Sequence, residues 1–161
     1  MATSTRTPDT RTLSGILIGL VVLGIALLVA NVPSSPLRSA NLDLFAIFAL
    51  PLVISLVAYV RFAESVVWWE IVLLAVWGVL SIALTTFVAF LATMGTPGGY
   101  PGAGAELLRN IALFLAATLG LSIPYGLAGK FRPEHPRRTV VSALLAAISL
   151  FVLFTIVAIG V

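Results

Sequence analysis

The chain has 161 residues, 60% of them hydrophobic and 9% charged, with a formal net charge of +3. Soluble domains carry roughly 25% charged residues, so this composition, with a mean hydropathy of +1.16, excludes a water-covered globular surface and points to one membrane domain. Cysteine is absent, which excludes disulfides, thiol nucleophiles and thiolate metal sites.

Crossing the hydrocarbon core takes about 20 apolar helical residues, and five stretches qualify. A short tail, residues 1–12, precedes the first, about Leu13 to Val32. A cleaved signal peptide would have an apolar region of only about 7–15 residues and a small-residue exit. Here the run is longer and leaves through Leu28-Val29-Ala30-Asn31, so an uncleaved helix is expected. Pro33 and Pro36 break the chain before the second span, about Leu42 to Val60, where Asn41 or Asp43 is the candidate N-cap. Pro51 lies at the middle of that span; it frees the carbonyl of Ile47 and predicts a kink. The third apolar run lies within Val66 to Met94. It is roughly 43 Å of helix against a core of about 30 Å, so it must tilt or protrude. Trp68 and Trp69 read as interface anchors and place the span at about 69–93. A Gly/Pro-rich loop around Tyr100 leads to the fourth span, about Glu106 to Leu127, with Pro124 near its end. The basic loop Lys130 to Arg138 follows, then the fifth span, about Thr139 to Val161. The expected fold is all-α: a compact bundle of five transmembrane helices over residues 13–161.

Orientation follows from the basic residues, which accumulate in cytoplasmic loops. With the N-terminus inside, Arg6, Arg11, Arg61, Lys130, Arg132, Arg137 and Arg138 lie on the inner side and Arg38 and Arg109 on the outer. The expectation is N-terminus in and C-terminus out, in a plasma membrane. Eight arginines against one lysine, with abundant Ala, Val, Leu and Gly, hint at a GC-rich prokaryotic genome. The positive charge sits in loops beside spans, so it predicts no nucleic-acid partner. It does predict attraction to anionic headgroups at the inner face of the bilayer.

No ionisable residue lies near the middle of a span, which argues against a proton relay or a buried ion path. Near the outer interface, Glu106 and Arg109 are i,i+3 on one helix and can pair locally, and Asp43, expected at the same depth, is a candidate partner for Arg109 across helices. Snorkelling to headgroups accounts for Arg109, and a helix N-terminus for Glu106. Glu70, near the inner interface, reads as a snorkelling residue or a partner-binding acid. Small residues recur at helical spacing: Gly78, Ser81, Thr85, Ala89 and Ala92; Ala112, Ala116 and Gly120; Ser142, Ala146 and Ser149. Gly15 and Gly19 form a GxxxG extended by Ala26 and Ala30. Packing within the bundle explains such stripes, with Gly15 and Gly19 the candidate contact to another protein.

The glycine-rich loop lacks the Gly-Lys-[Ser/Thr] ending of a phosphate cradle. The single histidine, His135, sits in a loop, where it neither pairs with a nucleophile nor supplies a haem ligand set. No HExxH, GxSxG or lysine within a span is present. Catalytic, cofactor and metal sites are therefore expected to be none. Length and span count are shared with the translocator family of tryptophan-rich sensory proteins. Its aromatic- and proline-rich ligand motifs do not occur here, where tryptophan stands only at Trp68, Trp69 and Trp77, and no family is assigned. The expected function is a non-catalytic accessory or assembly subunit of a membrane complex, partnered by the bilayer and by a membrane protein or its own copies. The alternative is a carrier or binder of a small apolar or lipid-like molecule, in a cavity lined by the Pro51 kink, Ser55, Ser81, Thr85 and Thr118.

Overall fold

The computed structural model describes residues 9–31, 40–93, 102–132 and 135–160. The tail with Arg6, the linker with Arg38 and the loop tip with Tyr100 lie outside them. Five long helices alternate in direction. α1 is Thr10–Ala30. α2 runs from Ala40–Leu44 through a π turn at Phe45–Ala49 into Leu50–Phe62. α3 is Trp68–Thr93, α4 Ala103–Phe131 and α5 Pro136–Gly160. All five are long and apolar enough to cross a membrane, and the described residues contain no strand. All five helices start before the expected bounds, α2 and α4 also run past them, and Asn41 and Asp43 lie inside α2 rather than capping it. α1 begins at Thr10, where the Asp9 carboxylate accepts from the Arg11 N–H, and α4 continues past Leu127 to Phe131.

Pro51 does perturb its helix, through a device that the sequence alone does not specify. The Leu50 N–H donates to the Phe45 carbonyl, five residues back, so the turn ahead of Pro51 is π rather than α. Widening the helix there takes up the clash that a proline ring makes with the carbonyl four residues earlier. Pro51 then falls in the first turn of the next α segment, where backbone N–H groups need no intrahelical partner.

α4 is the hub. It packs along α5 on one side and α2 on another; α3 leans chiefly on α5, and α1 on α2. Within the apolar windows of these spans, 56% of residues are buried in α4 against 17% in α1 and in α3, so α1 and α3 are the outer members. Two glycines permit the tight contacts. A Cβ on Gly120 would stand 2.7 Å from Leu150 Cα, and one on Gly129 would stand 2.5 Å from the Tyr59 carbonyl oxygen. Small residues let membrane-type helices approach this closely. The stripes on α3, α4 and α5 do face the bundle: Gly78, Ser81, Thr85, Ala116, Gly120, Ser142 and Ala146 are buried. The α1 stripe does not. Gly15, Gly19, Ala26 and Ala30 are exposed, and a Cβ on Gly15 or Gly19 would meet nothing.

The core divides along the helix axes. Leu28, Ala46, Ile47, Leu50, Ile54, Phe114 and Phe154 pack at one end. Tyr59, Leu74, Ala117, Leu121, Tyr125, Ala128, Ala146 and Leu150 pack toward the other. Arg11, Arg61, Lys130, Arg132, Arg137 and Arg138 gather at that second end, called the basic end below, while Arg109 stands at the opposite one.

Candidate functional site

The most connected polar group of the described molecule forms at the basic end, where α2, α3 and α4 meet. Glu70 sits in the first turn of α3. Its Oε2 accepts from the Val67 N–H at 3.4 Å, one half of the capping arrangement in which a third-position glutamate reaches back to the residue before the helix. The same Oε2 accepts from the Tyr59 hydroxyl at 3.1 Å. Oε1 takes the Arg132 Nε–H at 2.8 Å. Arg132 is presented by the extra turn of α4 past Leu127, which Gly129 allows by lying directly on the α2 backbone at Tyr59. Its Nη1 donates to the Ser65 carbonyl and to Ser65 Oγ, the latter at 2.7 Å. The Glu70 and Arg132 side chains retain 17% and 21% of their exposure, so the pair is shielded yet reachable from one side.

That side is a cleft of about 570 Å³ between α3 and α5. Trp69, Leu73, Val76, Trp77 and Leu80 line it from α3, and Thr139, Val140, Ala143 and Leu144 from α5, with Tyr59, Glu70 and Arg132 closing its head. From Glu70 to Leu80 the cleft follows α3 for about 15 Å. Two directional bonds hold its walls. The Trp77 indole N–H donates to the Ala143 carbonyl at 2.9 Å, linking α3 to α5. The Tyr125 hydroxyl donates to the Leu74 carbonyl at 2.6 Å, linking α4 to α3. Gly78 keeps that approach open, since a Cβ there would stand 3.1 Å from the Tyr125 oxygen. The cleft mouth is apolar and faces outward, with Leu73, Val76, Leu80, Val140 and Leu144 all at least half exposed. An apolar slot headed by a charge-balanced hydrogen-bonding group has the form of a site for an elongated apolar molecule with a neutral or zwitterionic end. Both Glu70 oxygens are engaged.

The residues singled out from sequence fare unequally. Glu70 is at the centre of the site, as an ion-paired and capping acid rather than a snorkelling one. Arg109 is exposed, and among the described residues no ion pair joins it to Glu106 or to Asp43, both of which are half-buried. Pro51 is buried and lines neither of the two wider clefts of the described molecule. The gap at that depth, lined by Phe48, Thr85, Ala117, Leu150 and Phe154 among others, is too narrow for a water molecule, and the Phe48 and Phe154 rings stack beside it at 6.4 Å. The hydroxyls expected to line a cavity there are dispersed. Ser55 Oγ donates to the Leu52 carbonyl at 2.7 Å and Ser81 Oγ to the Trp77 carbonyl at 2.8 Å, each within its own helix. His135 is exposed, and among the described residues no three His, Cys, Asp or Glu side chains come together.

Arg132, Tyr59 and the two tryptophans of the cleft carry the site without having been singled out as its members. A signal for Arg132 existed. Glu70 and Arg132 are opposite charges expected at the same inner depth, as Asp43 and Arg109 are at the other face. Comparison with protein-family models, with curated proteins and with solved structures finds no match to this chain.

Proposed function

We propose that the protein is a non-catalytic, multi-pass membrane protein that binds or carries an amphiphile in the α3–α5 cleft. The observation that carries this reading is the joining of an apolar, sideways-open slot to the Glu70–Arg132–Tyr59 group at one end. The slot is about 15 Å deep, half of a roughly 30 Å hydrocarbon core, so it matches one leaflet, with the polar group at headgroup depth. The balanced charge of the ion pair favours a neutral or zwitterionic head over a bare anion. Native mass spectrometry on protein gently extracted from its own membrane tests the reading. One amphiphile per chain is expected to remain bound, and Leu73→Trp with Leu144→Trp, which fill the slot, should remove it. Leu84→Trp, outside the cleft, should not. Equal retention in the filled variant would overturn the assignment.

The proposed orientation places the N-terminus in the cytoplasm and the C-terminus outside, in a prokaryotic plasma membrane. Its support is the gathering of Arg11, Arg61, Lys130, Arg132, Arg137 and Arg138 at one end against Arg109 at the other. The chain has no native cysteine, so single cysteines at Ser35, Tyr100 and His135 report cleanly on sidedness. In intact cells a membrane-impermeant maleimide should label the first two and not the third; the reverse pattern would invert the model.

A second reading, an accessory or assembly subunit of a membrane complex, draws on the outward face of α1, where Gly15, Gly19, Ala26 and Ala30 are exposed together. The same spectrum separates the two readings, since a stoichiometric protein partner in place of a retained amphiphile would favour the subunit.

A further inference from the structure

A second groove, of about 470 Å³, lies between α1, α2 and α4. Leu17 and Val21 of α1, Ile54 of α2, and Leu119 and Ile123 of α4 form much of its wall, and Arg61 stands with them at the basic end. From Leu127 to Leu119 it follows α4 for about 12 Å, within the depth of one leaflet. Its head differs from that of the α3–α5 cleft. Arg61 is half-buried, with its guanidinium 4.9 Å from the Phe62 ring centre, and among the described residues no carboxylate pairs with it. Two hydroxyls one turn apart on α4 belong to the same wall. Ser122 is half-buried, and Thr118, 5% exposed, has an Oγ1 without a hydrogen-bond partner among the described residues.

We propose that this groove holds one anionic phospholipid of the surrounding membrane, with its phosphate on Arg61 and an acyl chain along α4 beside α1. The site is separate from the α3–α5 cleft and does not rest on the reading of that cleft. A half-buried guanidinium without an acid favours a counter-charge, and its planar donor fork matches a phosphate. The apolar wall below it accepts a chain rather than water. A basic residue near a membrane surface is worth about 1 kcal/mol toward anionic lipid, which corresponds to a roughly fivefold preference.

The test is native mass spectrometry of the full chain, titrated with phosphatidylglycerol against phosphatidylcholine of the same acyl chains. Wild type should retain phosphatidylglycerol about fivefold more strongly. Arg61→Gln should erase that preference while leaving phosphatidylcholine retention unchanged. Ile123→Trp, which fills the groove on an exposed position, should lower the count of retained phosphatidylglycerol by one. Arg137→Gln, exposed at the same end and lining neither groove, should keep the preference. A preference that survives Arg61→Gln, or one lost equally with Arg137→Gln, would show diffuse attraction to the basic end and overturn the site. So would a dimer of this chain that dissociates on Ile123→Trp, which would mean that a second copy covers the groove.

Discussion

The α3–α5 side of α4 and its α1 side are held by different physics. On the first, directional bonds cross between helices: Arg132 to Glu70, Tyr59 to Glu70, Tyr125 to Leu74 and Trp77 to Ala143. On the second, α1 buries Leu28 against Ala46, Ile47 and Phe114 and settles on the Phe114 ring at Gly24. Lipid tails are as apolar as leucine, so apolar contact alone scarcely favours a neighbouring helix over lipid, whereas close fit and interhelical hydrogen bonds do. The first side is therefore fixed in register by polar partners, and on the second the described contact is close fit at Gly24 against Phe114. The two grooves follow the same division: one is headed by an arginine paired with Glu70, the other by Arg61, which has no carboxylate partner among the described residues.

The largest effect should come from unpairing the first side. Glu70→Gln leaves the Arg132 charge shielded and without its acid, and Arg132→Gln does the converse. Breaking a fully buried pair costs about 3–5 kcal/mol and an exposed one less than about 1. This partly shielded pair should cost about 2 kcal/mol, read as a lowered Tm of the detergent-purified protein. The double variant should lose less than the sum of the two singles, because each already destroys the shared interaction. Strict additivity would mean that the clasp is not a coupled unit, and the contrast between the two sides would collapse.

Much of this architecture was legible in the sequence because apolar run length is a one-dimensional signal. The five spans, the punctuation at Pro51 and the acid at Glu70 could all be read without knowing which helices touch. What could not be read depends on helix neighbours. The capping bond from Val67 to Glu70 and the seat of Arg132 on Ser65 need the short turn between α2 and α3 to adopt one path. Ser55 and Ser81 look like cavity hydroxyls until their own helices claim them. The π turn takes up Pro51 locally, and of the hydroxyls expected beside it Thr118 lines the α1–α2–α4 groove instead. Among the described residues the outward GxxxG meets no helix, while close backbone approaches occur at Gly120, which ends the Ala112-Ala116-Gly120 stripe, and at Gly129, which lies in no such stripe. Spacing reports which residues share a face, but not whether another helix lies on it.

Two glycines on α1 sharpen that point. A side chain at Gly24 would run into the Phe114 ring, so Gly24→Val should force α1 off its seat and cost about 1–3 kcal/mol as an overpacking substitution. Gly19, five residues away in sequence, faces open space. There Gly19→Leu should change the Tm of the isolated chain by the equivalent of less than about 0.5 kcal/mol, with any shift toward greater stability because glycine is a poor helix former. If Gly19→Leu instead destabilises the isolated chain as strongly as Gly24→Val, α1 packs through its GxxxG face and the division into two sides fails. If the chain keeps its stability but loses a co-purifying membrane protein, the outward face of α1 is a docking surface. The accessory-subunit reading would then stand beside the amphiphile site, since Gly19 touches neither that cleft nor its polar head.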